Sequence, residues 1–323
     1  MATYLVTGGC GFIGSHLCSA LRAAGHSVRV LDDLSTGREG NLAPGGDFVR
    51  GDVADPAVAT RAMEGISGCF HLAAIASVER GTREWLGTHR INLYGTVAVL
   101  EAAARSGGIP VVYASSAAVY GDCPTMPLDE NAPTRPLSAY GADKLGCEQH
   151  ARVAGFVHGV PTFGLRFFNV FGPRQDPASP YSGVISIFCE RLSDGRAVTI
   201  FGDGGQTRDF VFVADVVAAL SRAMEKASVA APVLNVCTGR ATTVRTLAST
   251  IAGLCGVPST FLTGPARQGE IRHSRGSPDR ARMTLDLAPP QPLEDGLVQV
   301  LEWLRAGRPD LATACVQGGN LKP

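Results

Sequence analysis

Thr3-Tyr4-Leu5-Val6-Thr7-Gly8-Gly9-Cys10-Gly11-Phe12-Ile13-Gly14 decides how the chain is read. A short apolar run meets a turn with glycines at 8, 11 and 14, and a helical pattern near 12–24 follows. Glycine lets such a turn close tightly and lets backbone approach a pyrophosphate, while the helix N-terminus behind it stabilises negative charge. The spacing differs by one residue from the usual G-x-G-x-x-G, and a glycine triad alone says little. Its setting says more. The next strand, Ser27 to Leu31, ends at Asp32 and Asp33, where a carboxylate can accept from both ribose hydroxyls and repel a 2'-phosphate. The turn is therefore read as a dinucleotide site that prefers NAD to NADP, built from Gly8, Gly11, Phe12, Ile13, Gly14, Asp32 and Asp33. Arg38 lies farther into the loop and is read as too distant to overturn that preference.

Outward from this turn, further strand candidates are Phe48 to Arg50, Cys69 to Leu72, Pro110 to Ala114 and Pro161 to Phe167. Helical patterns near 56–64, 88–106 and 139–158 alternate with them. That alternation predicts an α/β fold, a Rossmann-type doubly wound parallel sheet. After Asn169 a Pro- and Gly-rich stretch from Gly172 to Gly183 leads into shorter mixed elements, with helices near 183–194, 214–226 and 243–255. The expected organisation is a cofactor domain over 1–170 and a smaller mixed α/β substrate lobe over 171–306, some of whose segments return to the first domain. Residues 307–323 read as a tail.

Composition narrows the partners. The 323 residues are 45% hydrophobic, and Lys plus Arg balances Asp plus Glu at 29 each, so no net field attracts nucleic acid or an acidic membrane. A small-molecule partner is expected instead. No basic leader or membrane-length apolar run is visible, which points to a cytoplasmic protein. Nine cysteines without a C-x-x-C pair suit reduced core thiols rather than disulfides or zinc, and no metal is expected.

Tyr140 stands four residues ahead of Lys144 in a chain with only three lysines. On a helix these positions share a face, and a cation fixed beside a phenol favours the phenolate, so the pair can form a base at neutral pH. An ordinary exposed helical pair is the alternative. Asp52, with Val53 beside it, follows a strand where a carboxylate can accept from an adenine amino group. Leu72, Ala73 and Ala74 end the next strand with little bulk and leave room for the cofactor, while His71 before them reads as a core histidine.

With these residues in view, the chain resembles the extended short-chain dehydrogenase/reductases, and among them the UDP-galactose 4-epimerases. The likeness spans about residues 3–305. It rests on the glycine turn, Asp32, Asp52-Val53, His71 to Ala74, Asn92-Leu93-Tyr94-Gly95-Thr96, Ser115 to Gly121, Tyr140 with Lys144, Arg166-Phe167-Phe168-Asn169, and Gly202 to Phe210. The resemblance implies that Tyr140 is the general base, that Ser116 bonds the reacting sugar oxygen, and that Lys144 binds the nicotinamide ribose. Hydride would leave C4 for NAD, and the 4-keto sugar would turn over and take it back. Asn92 falls on the cofactor side and Ser77 on the sugar side.

For the UDP part, the resemblance implies Asn169, Arg208 and Arg267 toward the diphosphate, Glu270 at the uridine ribose, and Val184, Thr199 and Phe201 around uracil. Ser274 falls where some relatives carry a bulky tyrosine that limits the sugar to glucose and galactose. A small residue there implies that N-acetyl hexoses are accepted as well. Relatives that dehydrate the sugar place an Asp-Glu pair where this chain has Ala117-Ala118, and decarboxylating relatives commonly keep the glutamate. Alternatives that stay open are a UDP-glucuronate 4-epimerase, for which Arg80 lies near Ser77, another dehydratase or decarboxylase of the family, and an inactive NAD-binding sensor. The resemblance also implies a homodimer joined through the helices near 88–106 and 139–158.

Overall fold

The computed structural model describes residues 1–177, 183–266 and 271–307. Its first half alternates strands and helices: β1 (Thr3–Thr7), α1 (Phe12–Ala23), β2 (Ser27–Asp32), β3 (Asp47–Arg50), α2 (Pro56–Met63) and β4 (Gly68–His71). There follow α3 (Val78–Arg83), α4 (Trp85–His89), a π turn over Arg90–Tyr94, α5 (Gly95–Arg105), β5 (Val111–Ser116), α6 (Ala139–His158), β6 (Thr162–Phe167) and β7 (Asn169–Phe171). The remainder comprises α7 (Val184–Ser193), β8 (Thr199–Phe201), β9 (Thr207–Arg208), β10 (Phe210–Phe212), α8 (Val213–Lys226) and β11 (Val233–Val236). It closes with β12 (Thr242–Thr243), α9 (Val244–Cys255), β13 (Leu262–Gly264), α10 (Asp279–Leu285) and α11 (Leu293–Arg305).

Seven strands form one parallel sheet in the order β11-β6-β5-β4-β1-β2-β3. Both faces are covered, so alternate residues of one strand enter opposite cores. Val6, Phe70 and Val112 pack with Leu17 and Leu21 of α1 and Leu220 of α8. Their neighbours Leu5, Cys69 and Val111 pack with Met63 of α2, Val99 of α5 and Cys147 of α6. A third core joins Ile185 and Phe188 of α7, Leu247 and Ile251 of α9, and Leu297 and Leu301 of α11. Thr7 pairs in register with both Leu31 and His71, so three central strands finish together and present their following loops at one edge.

Three elements depart from the sequence expectation. β11 lies beyond the alternating run that signals the sheet, yet it completes the sheet beside β6 through the Val233–Gly164 to Val236–Phe167 register. The region up to 306 was expected to be loop-rich, but α11 is a regular helix whose Leu293, Leu297, Val300 and Leu301 face the third core. The predicted 88–106 helix is also longer and interrupted, since α4, the π turn and α5 follow one another without a break. No helix among the described residues is long and apolar enough to cross a membrane, and among them no cluster of His, Cys, Asp or Glu could hold a metal ion.

A buried polar network ties the long helix to the sheet. The Arg166 guanidinium of β6 meets Glu148 of α6 with Nε–Oε1 and Nη2–Oε2 distances of 2.9 and 2.8 Å. Ser115 Oγ donates to the same carboxylate at 2.5 Å, and Arg166 also donates to the Tyr120 hydroxyl at 2.8 Å. Tyr120 in turn donates to Asn235 Oδ1 on β11 at 2.7 Å. A buried charge pair held by several hydrogen bonds is costly to break from one side, because the surviving charge is left unsolvated. Glu148→Ala should therefore destabilise the fold by about 3–5 kcal/mol, measured by urea unfolding, and an effect below about 1 kcal/mol would show that the pair is easily replaced.

Candidate active site

The loops at the common strand edge enclose a cavity of about 800 Å³. Gly8, Gly11, Phe12, Ile13 and Gly14 line it from the turn between β1 and α1. A Cβ on Gly14 would lie 2.2 Å from the Gly8 carbonyl oxygen, and one on Gly8, whose φ is +70°, would lie 2.8 Å from Ala73 N. The turn therefore has no room for a side chain at positions 8 and 14 and leaves an open backbone cradle at the N-terminus of α1, the arrangement a diphosphate needs. Asp32 and Asp33 line the same cavity. Asp32 accepts from the backbone N–H of Cys10 and of Leu34, each at 2.9 Å, so one carboxylate both fixes the glycine turn and faces the ribose position. Burial pushes its pKa up, opposed by those two backbone bonds. Asp52 and Val53 line the cavity as well, and Asp52 Oδ2 is paired with Arg90 at 2.6 Å.

The other end holds the reactive side chains. Ser116 finishes β5 and accepts from the Ala118 N–H at 3.1 Å, which starts a short helical turn over Ala117–Tyr120. Ser138 caps α6 by accepting from the Gly141 N–H at 3.1 Å and so sets the first turn that carries Tyr140. One turn on, Lys144 is almost fully buried; its Nζ donates to the Ala114 carbonyl at 2.8 Å and lies 5.9 Å from the centre of the Tyr140 ring. Ser116, Tyr140 and Lys144 all line the cavity, together with Leu72, Ala73, Ala74 and Asn169.

His71 lies behind this wall. Burial, with the Lys144 charge as a lesser cause, pushes its pKa down to about 3, so the ring is neutral. Its Nδ1 lies 2.8 Å from Thr7 Oγ1 and its Nε2 3.0 Å from Thr96 Oγ1. Because Thr96 Oγ1 donates to the Asn92 carbonyl at 2.6 Å, the consistent assignment has His71 Nε2–H donating to Thr96 and Thr7 donating to Nδ1. Thr7 Oγ1 also accepts from the Leu72 and Ala73 N–H groups, each at 3.2 Å, so the network fixes the strand end that lines the cavity.

Two residues expected at the ligands act on the wall instead. The Asn92 amide is fully buried and bonded both ways to the Ile75 backbone, at 2.8 and 3.2 Å. The Ser77 hydroxyl caps α3 by accepting from the Arg80 N–H at 3.0 Å. Neither is in the cavity lining.

The family model described as "NAD dependent epimerase/dehydratase family" matches residues 4–237. The chain belongs to the NAD dependent epimerase/dehydratase family. Over 308 residues, covering 93% of this chain and 98% of the relative, it is 41% identical to UDP-glucose 4-epimerase of Mycolicibacterium smegmatis. Its fold is similar to that of the Thermotoga maritima UDP-glucose 4-epimerase crystallised with UDP-glucose, with a TM-score of 0.91 and 36% identity over 94% of this chain and 99% of that one. It is likewise similar to the UDP-N-acetylglucosamine 4-epimerase of Methanobrevibacter ruminantium M1 in complex with UDP-N-acetylmuramic acid. That match has a TM-score of 0.90 and 32% identity, over 95% of this chain and 99% of that chain. NAD is the cofactor of this family, and the side-chain-free cradle and the Asp32 carboxylate fit it.

The remaining residues expected at the UDP-sugar are more scattered. Val184 opens α7, Thr199 and Phe201 lie on β8, and Arg208 lies on β9. Ser274 sits beside β9, its N–H donating to the Thr207 carbonyl at 3.2 Å. None of these five lines the cavity itself. Arg267 and Glu270 lie outside the described residues.

Several lining residues had no sequence signal: Arg90, Arg174, Asp176 and, from the last helix, Trp303. Arg38, judged too far into its loop, also lines the cavity, and it is paired with Asp176. Since the cradle tolerates no Cβ, Gly14→Ala should weaken NAD binding at least tenfold, about 1.4 kcal/mol, while far-UV circular dichroism is retained. NAD titration by fluorescence checks this, and an unchanged Kd would show that the turn does not hold the diphosphate.

Proposed function

We propose that this protein interconverts the C4 epimers of a UDP-hexose through a transient 4-keto sugar. The observation that carries the reading is that Ser116, Tyr140 and Lys144 line the same cavity as the glycine cradle. Tyr140 takes the proton from the 4-hydroxyl as the keto sugar forms and returns it when the opposite epimer is made. Ser116 bonds the same sugar oxygen and holds it against the phenol. Lys144, fixed to the Ala114 carbonyl, places a positive charge beside Tyr140. Bound NAD supplies the acceptor, and then the donor, of the C4 hydride. Ala117 and Ala118, directly after Ser116, offer no group to protonate or deprotonate the sugar elsewhere, which disfavours dehydration and decarboxylation.

The favoured substrates are UDP-glucose with UDP-galactose and UDP-GlcNAc with UDP-GalNAc. Asn169 and Arg208 are assigned to the diphosphate, with Arg267, while Val184, Thr199 and Phe201 surround uracil and Glu270 takes the uridine ribose. The small Ser274 leaves room for an N-acetyl group, and the likeness to a UDP-N-acetylglucosamine 4-epimerase supports that choice. A UDP-glucuronate substrate is the second reading, favoured by the presence of Arg80 in the lining. We also infer a homodimer through α4 to α6, because Leu86 and Phe156 stand 86% and 89% exposed there.

Protein given UDP-Gal, UDP-GalNAc or UDP-GlcA separately, with no added NAD, should yield the epimers of the first two by NMR. An accumulating keto sugar or a pentose would overturn the reading. Tyr140→Phe should lower kcat by about 10²–10⁴-fold with UDP-sugar affinity little changed, as read by calorimetry. Ser274→Tyr should suppress turnover of the N-acetyl pair and spare the simple hexoses; equal loss on both, or no change on either, would remove Ser274 as a selector.

A further inference from the structure

Arg38, in the loop between β2 and β3, forms an ion pair with Asp176, in the segment after β7, and both side chains line the NAD cavity. β7 follows β6 directly, and in the sheet β6 is separated from β2 by β5, β4 and β1. The segment carrying Asp176 has therefore crossed the ends of three strands to meet Arg38. Its path is fixed along α1, where His16 Nε2 donates to the Pro173 carbonyl at 2.9 Å and Arg174 Nη1 donates to Ser19 Oγ at 3.4 Å. The opposing loop is fixed to the glycine turn, since Arg38 N and Asn41 Nδ2 donate to the Cys10 carbonyl at 3.0 and 2.9 Å. One arm is thus anchored on the glycine turn and the other along the α1 helix that follows it, and the ion pair joins them.

We propose that the Arg38–Asp176 pair is a clasp that slows the release of NAD. The pair is partly exposed, at 64% and 29% of the two side chains, so its effect is modest and sensitive to salt.

The test uses the full chain loaded with NAD and freed of excess by gel filtration, with no sugar present. Released NAD is trapped by an external dehydrogenase and its substrate. Arg38→Ala and Asp176→Asn should each release NAD roughly fivefold faster, and both should lose the acceleration by salt that the unaltered protein shows. The exchanged pair, Arg38→Asp with Asp176→Arg, should restore slow release. Release from either single variant at the unaltered rate would overturn the clasp. So would fast release from Arg38→Ala alone, which would mean that Arg38 acts on the dinucleotide directly. An exchanged pair as fast as the single variants, or release from the unaltered protein that ignores salt, would overturn it too. The clasp depends on NAD binding and not on the epimerase reading, because sugar turnover is never measured.

Discussion

Docking of α6 on the sheet is the constraint from which the rest of the site follows. Tyr140, Lys144 and Glu148 recur every four residues and so share one face of the helix. Two of the three are bound to neighbouring strands, Lys144 to the Ala114 carbonyl of β5 and Glu148 to Arg166 of β6. Both contacts bury a charge, and a buried charge tolerates little displacement from its partner. The phenol one turn ahead is therefore held by a rigid helix registered against two strands, and Ser116, at the end of β5, is held by the same sheet. Ser115 bonds Glu148 directly, so the strand position next to Ser116 belongs to the docking network itself. A site built this way keeps the geometry of Ser116, Tyr140 and Lys144 through the helix and the sheet themselves.

The cofactor end follows a similar economy. The Asp32 carboxylate fixes the glycine turn through the Cys10 N–H, and its remaining lone pairs suit ribose hydroxyls. Thr7, at the end of β1, accepts from two N–H groups of the Leu72–Ala73 wall and donates its own hydrogen bond to a neutral His71. Because these groups are satisfied within the protein, the cavity surface is preformed, and ligand binding need not first pay for ordering it.

What was legible in the sequence was local. Gly8 to Gly14, Asp32, and Tyr140 with Lys144 each carry their chemistry within a few residues, and the long alternating run before Asn169 gave the parallel sheet. What was hidden depends on contacts between distant segments. β11 lies outside the alternating run, and its place beside β6 comes only from the fold. Asn92 sits in a recognisable run, but its partner is the Ile75 backbone, which the spacing of a motif does not reveal. Arg38 is separated from Asp176 by 138 positions, so the distance into its loop was a poor guide to its place at the cavity. The residues expected around the UDP-sugar come from short elements, β8 and β9 among them, whose relation to the cavity is set by tertiary packing.

The two ends of the cavity face different kinetic demands if the reaction is the proposed one. A sugar oxidised at C4 must be reduced again by the same cofactor molecule, so loss of the cofactor in mid-cycle would strand the keto sugar. The sugar itself must enter, turn over and leave in every cycle. The wall at the Tyr140 end is lined by the small side chains of Ala73 and Ala74, whereas the diphosphate end is bounded by anchored backbone and joined by charge. A partly exposed ion pair suits this division, because it need only make cofactor release slower than turnover. Strong closure over the whole cavity would also slow the sugar. Restricting the tie to the α1 side holds the dinucleotide while leaving the Tyr140 end free to exchange its substrate.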